Sequence, residues 1–203
     1  MTITYHRGDL PDGLDFGAAV AVDSETMGLN LHRDRLCVVQ LSAGDGNAHI
    51  VHFDHRRYEA PRLRALMANP AVTKIFHFAR FDVAMLLQHL GVVTTPVYCT
   101  KIASKLCRTN TDRHGLKDLT RDLLGVELSK QQQTSDWGAD SLTPEQLAYA
   151  ASDVLHLHAL REKLNVLLER EGRLDLAQSC FSFLPTRAAL DLSGWEVDDI
   201  FAH

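Results

Sequence analysis

The order of the apolar segments constrains this chain more than any other feature. Three strand-like runs come in succession, and helical and strand-like runs then alternate. AAVAVDSE (18–25), LCVVQLSA (36–43) and AHIVHF (48–53) are short, apolar and bounded by polar residues, the signature of strands. Gly44-Asp45-Gly46-Asn47 joins the second to the third and predicts an antiparallel hairpin. Pro61 to Ala68 carries a helical pattern and TKIFHF (73–78) reads as a strand. Phe81, Met85, Leu86 and Leu90 then share a helix face that stops at Gly91. PVYCT (96–100) predicts a short strand, followed by helices near 101–107 and 115–124, the latter closed by Gly125. After a polar loop, SKQQQTSDWGAD (129–140), comes Thr143-Pro144-Glu145-Gln146. Thr143 as cap, Pro144 at the first position and Gln146 completing a capping box open a long helix running to about Glu171. A meander followed by helix–strand alternation predicts an α/β fold, a mixed sheet flanked by helices.

Composition narrows the setting. With 203 residues, 45% hydrophobic and 23% charged, one domain over 1–203 can bury a core without a disulfide or a structural metal. Its core is expected over about 18–170, with an aromatic tail over about 181–203. The longest apolar run, Phe16 to Val22, is seven residues, too short to span a bilayer. MTITYHRGDLPDG lacks the basic-then-apolar order of a signal peptide, so a cytoplasmic protein with no membrane partner is expected. The net charge of −5 argues against holding a long duplex by phosphate neutralisation, and any nucleic-acid contact should be small and local. Cys37, Cys99, Cys107 and Cys180 form no C-x-x-C pair and read as reduced thiols. His49, His52 and His55 invite a zinc reading. In a strand, however, His49 and His52 point to opposite faces, and no zinc site is expected.

The chemistry lies in acids. Asp23 and Glu25 end an apolar strand at i, i+2, so both project from one face; a turn after a strand would also account for them. Asp82 falls where a strand passes into a helix, a place that the helix dipole favours for any acid. Tyr149 and Asp153 sit at i, i+4 on the long helix and share a face, with Ala150 and Ala151 small enough for close approach to another element. Each feature has an ordinary structural explanation alone. Together, four acids able to face one cleft suit two hard cations, Mg2+ or Mn2+, with oxygen ligands. Such a pair stabilises the attacking and leaving oxygens of a phosphoryl displacement.

Asp23-Ser24-Glu25, then Asp82, then Tyr149-x-x-x-Asp153 resemble the three motifs of the DEDDy superfamily of 3′–5′ exonucleases. KIFHFARFD, SKQQQTSDW and LTPEQLAYAASDVLHL resemble the ribonuclease D branch over about residues 18–170. After about residue 184 there is no room for the helical nucleic-acid-binding domains of that branch. HRDRLCVVQLSAGDG, TKIASKLCRTNTDRHGLKDL and GWEVDDIFAH instead resemble the short, single-domain nanoRNase C group of alphaproteobacteria. The resemblance implies a ribonuclease H-like fold and a homo-octameric ring. It also implies hydrolysis of very short RNA, 5′-phosphorylated dinucleotides above all, to nucleoside 5′-monophosphates. It further implies that Asp23 bridges two metals, Glu25 and Asp153 complete the first, and Asp82 holds the second. Tyr149 would orient the attacking water and help take its proton.

For the substrate, Leu29 and Leu31 could insert beside a base, and His77 and Phe81 flank Asp82. Lys130, Gln132, Gln133, Ser135 and Trp137 form a polar loop suited to a terminal phosphate. Arg108, Arg113 and His114 are further, second-rank phosphate candidates, within one chain or across a subunit boundary. The apolar tail residues Phe181, Phe183, Leu184, Trp195, Ile200 and Phe201 need burial on this domain or on a neighbour. Alternatives at this stage are a 3′–5′ exonuclease on longer RNA or on DNA, and a catalytically silent RNA-binding scaffold.

Overall fold

The computed structural model describes residues 1–129 and 134–202. Its centre is a six-stranded mixed sheet in the order β1-β4-β3-β2-β5-β6. The strands are β1 (Ile3–Arg7), β2 (Ala19–Thr26), β3 (Leu36–Ser42), β4 (Ala48–His52), β5 (Thr73–Phe76) and β6 (Val97–Cys99). β2–β3–β4 form the antiparallel meander, while β1 runs parallel to β4, and β5 and β6 run parallel to β2. β3 is buried at every residue, which is why LCVVQLS reads as a continuous apolar run rather than an alternating one. Helices α1 (Pro61–Ala68), α2 (Ala79–Leu90), α3 (Thr100–Cys107), α4 (Leu116–Leu124), α5 (Pro144–Leu155), α6 (Leu157–Arg170) and α7 (Leu174–Leu190) surround it. α5 lies on β1 to β4, α6 on β2 and β5, and α2 on β3, β5 and β6.

Several elements differ from the sequence expectation, among them α7 (Leu174–Leu190), a helix over a stretch partly read as aromatic tail. β1 was not predicted: ITYHR is an edge strand with only half-buried or exposed residues, so it lacks the apolar run that marks a central strand. The helix expected from Thr143 to about Glu171 is two helices, broken at His156 (φ −106°, ψ −4°). No Gly or Pro lies between 145 and 171 to announce the break. It falls where the packing partners change, from β1–β4 under α5 to β2, β5 and α3 under α6. The capping box of α5 is present as read, with Thr143 Oγ1 accepting from Gln146 N and Gln146 Oε1 accepting from Thr143 N.

The histidines behave as the strand geometry requires. His49 stacks on His6 at 5.3 Å, whereas His52 takes a 2.6 Å hydrogen bond with Tyr5 Oη. All four cysteines are free thiols. Among the described residues, no helix is long and apolar enough to cross a membrane.

The tail residues are not all placed alike. Phe181 and Leu184 join the core, while Trp195, Val197, Ile200 and Phe201 are exposed. Asp191, buried at the end of α7, ties this tail down: Arg80 binds both of its carboxylate oxygens at 2.7 and 2.8 Å and Arg187 adds a bond of 2.9 Å. Burial alone would raise the Asp191 pKa, but the two guanidinium groups hold it below its ordinary value. A depressed acid stabilises the fold above its unfolded pKa, and that contribution is lost as pH falls through the folded value. Asp191→Asn is therefore expected to destabilise the protein by ~2 kcal/mol at neutral pH, less than a fully buried pair because Arg80 is partly exposed. Thermal melts of the two proteins should converge below about pH 4, and the variant's tail should be cut faster by protease.

Candidate active site

One face of the end of β2 carries the centre of the site. Asp23 and Glu25 project toward α5 and meet Asp153, and one oxygen from each of the three lies within 4.8 Å of the others. Ser24, on the opposite face, donates to Asp82 Oδ1 of α2 at 2.6 Å. Gln40, paired with Asp23 across β2–β3, donates from Nε2 to Asp23 Oδ2 at 2.7 Å. Small Ala150 and Ala151, both fully buried, let α5 come close enough to the sheet to bring Asp153 in.

Electrostatically the cluster is frustrated. Burial, then the charges of Asp82, Asp153 and Glu25, push Asp23 well above its ordinary pKa. Burial, then Asp153 and Asp82, push Glu25 up to about 9. Burial likewise raises Asp82 and Asp153 to about 7, against the hydrogen bonds from Ser24 and Tyr149 respectively. No described Lys, Arg or His pairs with any of the four. Hard oxygen donors, buried together without a neutralising cation, are the donor set that a divalent metal fits.

The α5 helix also supplies Tyr149. Burial and the nearby Asp153, Glu25 and Asp23 raise its pKa above the ordinary phenol value. Its hydroxyl is hydrogen-bonded to Asp153 and faces the same carboxylates. Trp137 lies 6.0 Å from the Tyr149 ring and is buried against Cys37, Val38, Ile50 and Ala150. Its loop is fastened by Gln146 Nε2 to Asp136 O (3.1 Å) and by Arg35 Nη2 to Gly138 O (2.8 Å). At Gly138 a Cβ would sit 2.4 Å from Met27 Sδ and 2.7 Å from Arg35 Nη2, so a larger residue would push those two side chains aside. The capping residue of α5 thus also holds one wall of the site.

These residues line a cleft of about 720 Å³, the size of a small-ligand pocket. Of the substrate candidates, Leu29, His77, Phe81, Ser135 and Trp137 line it. Leu29 is 78% exposed on a loop pinned by Asp34, which accepts from Asn30 N and Arg33. Burial and then Lys101 push His77 down to about 3, so it is neutral and bonds Thr100 Oγ1 at 2.9 Å. The expectation fails for Leu31, which is buried in the main core because its side of the loop faces inward. Arg108, Arg113 and His114 do not line the cleft of this chain. Arg108 is paired with Asp122 at 2.7 Å and donates to Arg113 O, and His114 bonds Ser104 Oγ at 2.8 Å. Lys130, Gln132 and Gln133 lie outside the described residues.

Sequence reasoning missed several lining residues. Lys101, from the start of α3, stands 4.2 Å over the Phe78 ring, and Lys117 comes from the first turn of α4. Phe78 takes φ 65° at the β5–α2 junction, a left-handed conformation costing a non-glycine residue ~1–2 kcal/mol. Such strain concentrates at functional sites; here it turns the chain so that the first turn of α2 presents Asp82. None of the three has a local signal, because their meeting is tertiary.

A mixed sheet of this topology with a carboxylate cluster at the end of β2 and on α2 and α5 defines an exonuclease domain of the ribonuclease H-like type. Residues 11–169 match the family model described as 3′–5′ exonuclease, and the chain belongs to that family. It is 38% identical over 156 residues to ribonuclease D of Acidiphilium cryptum, covering 77% of this chain but only 39% of that protein. Among solved structures it is similar over its whole length to NrnC of Brucella melitensis bound to pGG, with 55% identity, a TM-score of 0.97 and 99% of that chain covered. It is also similar to Brucella melitensis NrnC with bound Mg2+, with 54% identity, a TM-score of 0.94 and complete coverage of both chains.

Proposed function

We propose that the protein is a divalent-metal-dependent 3′–5′ exoribonuclease that hydrolyses short oligoribonucleotides, dinucleotides above all, to nucleoside 5′-monophosphates. The observation that carries this is the convergence of Asp23, Glu25, Asp82 and Asp153 in one cleft of about 720 Å³ beside Tyr149. The full-length similarity to a nuclease solved with pGG supports the short substrate. Asp23 would be shared by two ions, Mg2+ or Mn2+, with Glu25 and Asp153 holding the first and Asp82 the second. When bound, such ions supply positive charge to the attacking and leaving oxygens and an acidified water. The Tyr149 hydroxyl, hydrogen-bonded to Asp153, would orient that water. Leu29, Phe81 and Phe78 offer apolar surface to the bases, and base stacking on an aromatic contributes ~1–3 kcal/mol. Lys101 and Lys117 place two cations on the cleft wall for phosphate, alongside Ser135 and the Lys130 loop. The protein acts as one domain over 1–203 in the cytoplasm. The exposed Trp195, Val197, Ile200 and Phe201 are covered by neighbouring subunits of a homo-octameric ring.

The test is product analysis over a length series of labelled RNAs with Mg2+. A 5′-phosphorylated dinucleotide should be cleaved much faster than a seven-residue RNA or a DNA of equal length. Binding should have a shallow salt dependence, a log–log slope of ~0.7 per phosphate engaged. Lys101→Ala should weaken binding and flatten that slope. Equal rates at all lengths would leave a general exonuclease, and no hydrolysis would leave an RNA-binding scaffold.

A further inference from the structure

Two of the site's three aspartates, Asp23 on β2 and Asp82 on α2, each take a side-chain hydrogen bond from a neutral residue of the sheet. Gln40 Nε2 holds Asp23 Oδ2 at 2.7 Å and Ser24 Oγ holds Asp82 Oδ1 at 2.6 Å. We infer that Gln40 and Ser24 are positioning residues that set the metal affinity of this centre, by fixing the orientation in which each carboxylate meets the ion. The inference rests on the metal reading proposed above.

Gln40 is difficult to explain by stability. It is fully buried in β3, and its Oε1 has no hydrogen-bond partner among the described residues. A buried amide left half unpaired is a liability that an apolar side chain of the same volume would avoid. The orientation is set by charge, since the reversed amide would put Oε1 against a carboxylate oxygen. Ser24 is the middle residue of the Asp-x-Glu motif, and strand alternation sends it away from the Asp23 and Glu25 face. It is the residue by which β2 reaches α2. Both donors are neutral, and the choice matters: a Lys or Arg in either place would orient the carboxylate equally well but would compensate its charge and compete with a cation. A hydroxyl or an amide orients without neutralising, and hydrogen bonds to an ionised acceptor are the stronger kind.

Mn2+ binding to the full chain, followed by the loss of the free-ion resonance signal and by calorimetry, tests this without reference to turnover. Gln40→Met and Ser24→Ala should each weaken Mn2+ binding roughly 10–100-fold, the usual effect of removing a partner of a metal ligand. Their melting temperatures in chelator should stay within ~3 °C of wild type. Ser24→Thr, which keeps the hydroxyl, should restore the affinity. Wild-type affinity in both Gln40→Met and Ser24→Ala would overturn the inference, as would weakened binding that simply follows a large fall in melting temperature. Should Gln40→Met fail to fold, Ser24→Ala against Ser24→Thr decides alone. Asp153→Asn keeps the two questions apart: if wild type binds no Mn2+, or if Asp153→Asn binds it as wild type does, the metal reading itself fails.

Discussion

Asp153→Asn is expected to lower the rate of RNA hydrolysis by ~10³-fold or more and to raise the melting temperature in chelator by ~5 °C. The first effect follows from the loss of a ligand. Charge stabilisation by a bound ion contributes several kcal/mol to the transition state, and each 1.4 kcal/mol is tenfold in rate. The second follows from the carboxylate cluster. Asp153 is raised by burial from its ordinary value to about 7, so the native state holds protons that the unfolded chain has released. Where the folded state binds more protons, stability falls as pH rises. In chelator the wild-type protein should therefore be more stable near pH 5 than near pH 8, and Mg2+ should remove much of that slope. Asn at 153 removes one of the mutually repelling charges and the slope becomes shallower. Chelation of the wild type should reproduce the loss of activity. Full hydrolysis in excess chelator would exclude the metal reading, and an unstable Asp153→Asn would show that the acid is a structural support.

Tyr149→Phe is expected to lower kcat by ~10²-fold with KM changed little. The hydroxyl touches the reaction only through the orientation of the water, and an interaction made chiefly in the transition state appears in kcat rather than in binding. The ring of Phe still packs beside Trp137, so the variant should fold normally. Steady-state kinetics on a dinucleotide separates the alternatives. An unchanged kcat with raised KM would make Tyr149 a substrate contact instead.

The sequence by itself determined the parts of this protein that are written locally. Short apolar runs bounded by polar residues and the Gly-Asp-Gly-Asn turn specify the β2–β3–β4 meander, Gly91 and Gly125 stop their helices, and Thr143 with Gln146 starts α5. Asp23 and Glu25 share a face, as do Tyr149 and Asp153, because strand and helix periods force it. Only the tertiary structure decided which distant groups meet. Leu29 and Leu31 have equal claims as letters, yet Asp34 pins their loop so that one faces the cleft and the other enters the core. Arg108 reads as a phosphate ligand until Asp122, fourteen residues on, is seen to occupy it. Lys101, Lys117 and Phe78 reach the site from three elements, and the Gln40 amide finds Asp23 only through the β2–β3 register. Such contacts depend on register, burial and the angle at which one element crosses another, and a chain's local pattern carries none of the three.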